Sequence, residues 1–156
     1  MNWTEVCENP FLQNLPFKVE LNEFGQPVLS PASNRHGRHQ VAIGSKLTSL
    51  AKDGEVISEC SVSTPLGVKV ADVAWASREF IAAHGFDTPY PSAPGLCVEI
   101  LSPSNSPGEI ELKTGLYFTA GALEVWLCSD AGVMTFITTR GVAPASGLFP
   151  GFPAKV

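Results

Sequence analysis

Two stretches decide how this chain reads: LCVEIL at residues 96–101 and, upstream of it, VKVADVAW at residues 68–75. LCVEIL is a near-continuous apolar run, the composition of a central strand buried on both faces. Ser102-Pro103 ends it. Side chains alternate along a strand, so Cys97, Glu99 and Leu101 share one face, and Leu96, Val98 and Ile100 the other. In VKVADVAW the same alternation groups Val68, Val70, Asp72 and Ala74. Each strand therefore carries one acid, Asp72 or Glu99, with no Arg or Lys on the acid's own face. A lone buried carboxylate costs several kcal/mol unless it is paired, protonated or bound to a cation.

Outward from these strands the pattern is mixed. FKVEL (residues 17–21) and PVLS (residues 27–30) read as strands around a turn. A helix fits residues 34–52, capped by Asn34, striped by Ile43, Leu47, Leu50 and Ala51, and stopped by Gly54. Residues 55–63 form a further strand, and Ser77 caps a short helix reaching about His84. After a loop with Pro89, Pro91 and Pro94, a helix over residues 107–120 ends at Gly121. Strands at 124–128 and 133–138 and a final short strand in the tail complete the chain. The expected class is α/β, a mixed central sheet flanked by helices. Residues 1–16 read as an N-terminal arm with one helical turn entered at Asn9-Pro10, and residues 17–156 as a single domain.

Composition narrows the function. With 44% hydrophobic and 16% charged residues, the chain has the makings of a dense core and is not a disordered tail. No apolar run approaches the roughly 20 residues that span a bilayer, so no membrane association is expected. A net charge of -5 argues against nonspecific coating of nucleic acid but not against a nuclease, whose metal site itself needs acids. Cys7, Cys60, Cys97 and Cys128 are widely spaced, and the N-terminus does not read as a secretory signal. Reduced thiols and a cytoplasmic location follow as expectations.

Phosphate-cradling glycine loops are absent. Ser102, Ser104 and Ser106 lack a G-x-S-x-G setting and suit helix capping better than nucleophilic attack. His36, His39 and His84 stand at no zinc-like spacing from Cys7 or Cys60. Trp75, Trp126 and Tyr117 read most simply as packing aromatics.

A third unusual residue is Lys113, in helical phase with Leu116, Tyr117 and Ala120 and so on the stripe facing the sheet. Taken alone, it reads as a snorkelling lysine or a partner for Glu109. Two carboxylates and a lysine together suggest metal-assisted phosphodiester hydrolysis. The carboxylates hold a hard cation such as Mg²⁺ or Mn²⁺, and the lysine orients water and stabilises phosphoryl charge. Between Glu23 and Asp53 the chain has no acid but carries Arg35, Arg38, Lys46 and Lys52, with His36 and His39 among them. Such a surface is expected to meet phosphates, chiefly through Arg35, Arg38, His39 and Lys46.

The succession VADVAW, LCVEILSPSN and ELKTGLYFTAGALEVWL resembles the Uma-type family of restriction-endonuclease-like proteins, within the PD-(D/E)XK nuclease superfamily. SPASNRHGRHQ and the tail GLFPGFP fit too, so the likeness spans roughly residues 17–153. It implies a divalent-metal site at Asp72 and Glu99 with the Ile100 carbonyl as a further ligand. An additional acid near the first hairpin is implied at Glu20 or at position 26, where this chain has Gln26 and no acid. The superfamily's proline before the first acid is Ala71 here, and its lysine two residues after the second acid is Leu101. The resemblance gives the lysine's task to Lys113, with Tyr117 one turn further on. It implies a DNA endonuclease, and a homodimer if both strands are cut. The alternative is a weakened nucleic-acid-binding or protein-interaction module on the same fold.

Overall fold

LCVEIL does form the central strand: β5 (Leu96–Ile100) is buried at every position. In this computed structural model, which describes residues 1–15, 17–31, 33–103 and 105–156, β5 lies inside a six-stranded mixed sheet. The sheet runs β3 (Glu55–Thr64), β4 (Gly67–Ala76), β5, β6 (Glu124–Cys128), β7 (Met134–Thr138) and β8 (Gly141–Ala143). Only the β5–β6 pair is parallel, and the chain crosses between them through helix α4 (Pro107–Thr119). Helices α1 (Trp3–Glu8), α2 (Asn34–Leu50) and α3 (Arg78–His84) and a separate hairpin, β1 (Phe17–Leu21) with β2 (Pro27–Pro31), complete the described elements.

Alternation along β5 splits the core into two layers. Leu96, Val98 and Ile100 pack with Ile43 and Leu47 of α2, and with Trp126, Phe149 and Phe152. Cys97 packs on the opposite face with Tyr117 of α4, Ala71, Ala74 and Val125. The expected mixed sheet flanked by helices is the architecture observed. Among the described residues no helix is long and apolar enough to cross a membrane. The cysteines are free, with Cys60, Cys97 and Cys128 buried.

Two local expectations need correction. The N-terminal helix precedes Asn9 instead of starting there, because Asn2 and Glu5 form a reciprocal capping box. Helix α2 is capped by Ser33, whose Oγ accepts from the His36 N–H at 3.1 Å, while Asn34 is already helical. Ser106 caps α4, as a serine of that run should; Ser104 lies outside the described residues.

The hairpin crosses the sheet at the β3–β4 turn. Gly67 has φ +89°, and a Cβ there would lie 2.3 Å from the Leu21 carbonyl oxygen, so only glycine allows this approach. Leu21 then packs with Val6 and Val68 in a small third cluster.

A buried acid outside the β4–β5 pair secures the tail. Glu124 accepts from Trp126 Nε1, Ser146 Oγ and the Gly147 N–H at 2.7 Å each, and from the Leu148 N–H at 2.9 Å. All four partners donate, so an amide in its place turns its own N–H groups toward donors. Glu124→Gln is expected to destabilise by about 2–4 kcal/mol and to lower Tm by about 5–10 °C in thermal denaturation.

Candidate active site

Asp72 and Glu99 meet where β4 and β5 part. Their ladder runs from Trp75↔Leu96 to Val73↔Val98 and stops one residue short of both acids. On the other side of β4, the β3 pairing is interrupted between Ser58↔Val73 and Cys60↔Ala71, opposite Asp72. Glu59, at the interruption, has φ +52°. Backbone groups at such a break need substitute partners, and the site's own side chains supply them. Asp72 Oδ2 accepts from the Ile100 N–H at 2.6 Å, and Glu20 Oε1 from the Val70 N–H at 2.7 Å. Gln40 Nε2 donates to Asp72 O at 2.8 Å and to Glu59 Oε1 at 2.7 Å.

Two lysines balance the acids. Lys113 Nζ, arriving from α4, lies 2.9 Å from Glu99 Oε2 and 2.7 Å from Glu20 Oε1. Glu109, the i−4 partner expected from the sequence, is not the one it takes, because buried carboxylates attract an ammonium with less solvent screening than an exposed one. Lys18, from β1, lies 2.6 Å from Asp72 Oδ1 and 3.6 Å from Glu99 Oε2. Tyr117 donates its hydroxyl to Glu99 Oε1 at 2.6 Å, and His36 Nε2 stands 3.3 Å from Asp72 Oδ1. Lys18, Glu20, His36, Asp72, Glu99 and Lys113 line an open cleft of about 690 Å³, with Tyr117 buried behind Glu99.

The acids differ electrostatically. Burial works to raise Asp72, but hydrogen bonds from His36, Lys18 and the Ile100 N–H, with the Lys18 charge, hold it well below the usual carboxylate range. Burial raises Glu99 above its ordinary value even against Lys113 and Lys18. Glu20 feels the same burial, yet Lys113 and Lys18 lower it. The hydrogen bond to Asp72 raises His36, and burial beside Glu99 raises Tyr117, which stays a donor.

Asp72, Glu99, Lys113, Glu20 and Tyr117 thus converge, and Ile100 joins them through its N–H. The basic surface does not. Arg35 pairs with Asp130, and His39 Nε2 lies 3.3 Å from Asp130 O; Arg38 and Lys46 are exposed. Helical phase explains the separation: His36 and Gln40, four residues apart, face the cleft, and Arg35, Arg38 and His39 point elsewhere. Sequence reasoning passed over Lys18, Gln40 and Glu59. A signal existed for Lys18, since alternation in FKVEL puts it on the face of Glu20.

The donor set fits a cation. Lys18 already places one positive charge between the carboxylates of Asp72 and Glu99. His36, Glu59 and Asp72 also offer ligand atoms within 4.8 Å of one another.

Comparison with known proteins agrees with this architecture. A crystal structure described as a putative nuclease from Anabaena variabilis ATCC 29413 superposes with a TM-score of 0.72 at 17% identity, covering 88% of this chain and 86% of that one. The shared fold is that of the restriction-endonuclease-like proteins. No curated protein matches the sequence significantly. The Uma2 family model, described as "Putative restriction endonuclease", matches residues 4–142, and the chain belongs to that family.

Proposed function

We propose that this protein is a metal-dependent endonuclease that hydrolyses DNA phosphodiester bonds in the cleft of Asp72, Glu99 and Lys113. The observation that carries the reading is the meeting of two buried acids and a lysine, from three separate elements, where the sheet opens. Asp72 and Glu99 would hold the ion, and their oxygen donors suit Mg²⁺ or Mn²⁺. Such a cation supplies Lewis-acid stabilisation of phosphoryl charge and acidifies water. The Ile100 carbonyl is a further donor in this proposal.

The chain's own groups do the rest. Lys113 Nζ, fixed by Glu20 and Glu99, orients the attacking water and offsets negative charge as it builds on the phosphoryl oxygens. Leu101 cannot take that role, and the α4 lysine reaches the same carboxylate from the helix. Tyr117 holds Glu99 Oε1 in place, which makes it a positioning residue. Cleavage of both strands calls for two such sites, which a homodimer provides.

Plasmid and oligonucleotide DNA incubated with Mg²⁺ or Mn²⁺ tests the reading. Wild type is expected to cut, and chelation to stop it. Asp72→Ala, Glu99→Ala and Lys113→Met should each lower the rate by about 10²-fold or more. Equal cutting by all four proteins points to a contaminant and sinks the proposal. Absence of cutting by wild type across both metals favours the binding module.

Tyr117→Phe probes the support of Glu99 separately. Loss of a hydrogen bond to a ligating carboxylate should weaken Mn²⁺ binding by about tenfold, read by calorimetric titration, with the fold retained in circular dichroism.

A further inference from the structure

Lys18 is a charged group of the cleft with no task in the proposed hydrolysis. Lys18 projects from β1 on the same face as Glu20, and its side chain is only 13% exposed. Its ammonium is closest to Asp72 Oδ1, at 2.6 Å, and lies 3.6 Å from Glu99 Oε2. These are the carboxylates that the proposed function assigns to a divalent cation. Two positive charges cannot share that position without strong repulsion at such distances.

We infer that Lys18 is a tethered counter-cation of the Asp72–Glu99 pair, which a divalent ion must displace in order to bind. The inference rests on the metal-site reading above and adds a determinant of metal affinity to it. Three features support it. The charge balance is incomplete, because four carboxylates, Asp72, Glu99, Glu20 and Glu59, face the two ammonium groups of Lys18 and Lys113 and the imidazole of His36, a deficit of one even with His36 protonated. Exchanging a single charge for a double one completes it. The lysine stem is long and flexible, so the ammonium can swing into the open cleft it lines without moving the hairpin. The hairpin has an anchorage of its own, through Leu21 in the small core and Glu20 on the Val70 N–H. Burial works to neutralise Lys18, but the carboxylates of Glu99, Asp72 and Glu20 outweigh it and keep the side chain charged.

The consequence is a protein whose acids are compensated before any ion arrives, with a metal affinity reduced by the lysine it must evict. Calorimetric titration with Mn²⁺ alone, on wild type, Lys18→Met and Lys18→Arg, reads this directly. Lys18→Met is expected to bind Mn²⁺ about tenfold tighter or more, which corresponds to about 1.4 kcal/mol. Lys18→Arg, which retains the charge, should not gain affinity. In wild type, acetylation of amines followed by mass spectrometry should show Lys18 labelled several-fold faster at saturating Mn²⁺, with exposed Lys46 and Lys52 unchanged. This second measurement decides the matter if Lys18→Met fails to fold without metal. Unchanged or weaker Mn²⁺ binding by folded Lys18→Met, or Lys18 labelling that ignores bound Mn²⁺, overturns the displacement alone. No Mn²⁺ binding by wild type and variant alike overturns the metal site as well.

Discussion

The structure turns on a place where a β-sheet is kept from closing. Past Val73 and Val98 the strands β4 and β5 separate, and backbone N–H groups that a regular ladder would satisfy are left facing a cleft. An unpaired buried backbone group costs about 1–3 kcal/mol, so the opening survives only with replacements. Asp72 and Glu20 each spend one carboxylate oxygen on such an N–H, from Ile100 and Val70. Gln40 performs the complementary service for the Asp72 carbonyl. The acids of the cleft are therefore also the fasteners of its walls, and chemistry and fold cannot be varied independently there.

The second requirement is charge. Asp72 is almost wholly buried, and Glu99 lies in a strand buried at every position. Carboxylates so placed persist in ionised form only beside cations of good geometry. Lys18 arrives from the hairpin and Lys113 from α4, and both ammonium groups approach Glu99 Oε2, at 3.6 and 2.9 Å. The result is uneven: Asp72 is strongly stabilised as the anion, and Glu99 is pushed the other way by its burial. Removing one partner of such a network typically costs about 3–5 kcal/mol.

Much of this was legible in one dimension, and the reasons are physical. The central strand declares itself because LCVEIL is apolar on both faces, and an acid inside it is conspicuous. Lys113 is visible because helical phase places it on an apolar stripe. Lys18 escaped attention although FKVEL alternates, since a lysine beside a glutamate in a short strand also describes an ordinary solvated edge. Gln40 and Glu59 leave no trace in composition or period. Their roles come from an interruption in the β3–β4 ladder, which is a property of two strands together. The basic stretch stands apart from the cleft for a related reason: charge counting along α2 ignores which way each residue of a helix turns, and Arg35 turns toward Asp130.

The sequence separation within the charge cluster has a bearing on how the molecule assembles. Lys18 and Asp72 are 54 positions apart, while Lys113 and Glu99 are 14 apart. Local partners meet sooner than distant ones, since closing a longer loop costs more entropy. Until the N-terminal hairpin docks, Asp72 at the divergent end of β4 lacks its lysine and has only His36 and the Ile100 N–H as partners. Charge on an exposed strand edge discourages pairing with other chains. The carboxylate assigned to the proposed metal site is thus, in the unfinished sheet, a charge that opposes pairing with other chains.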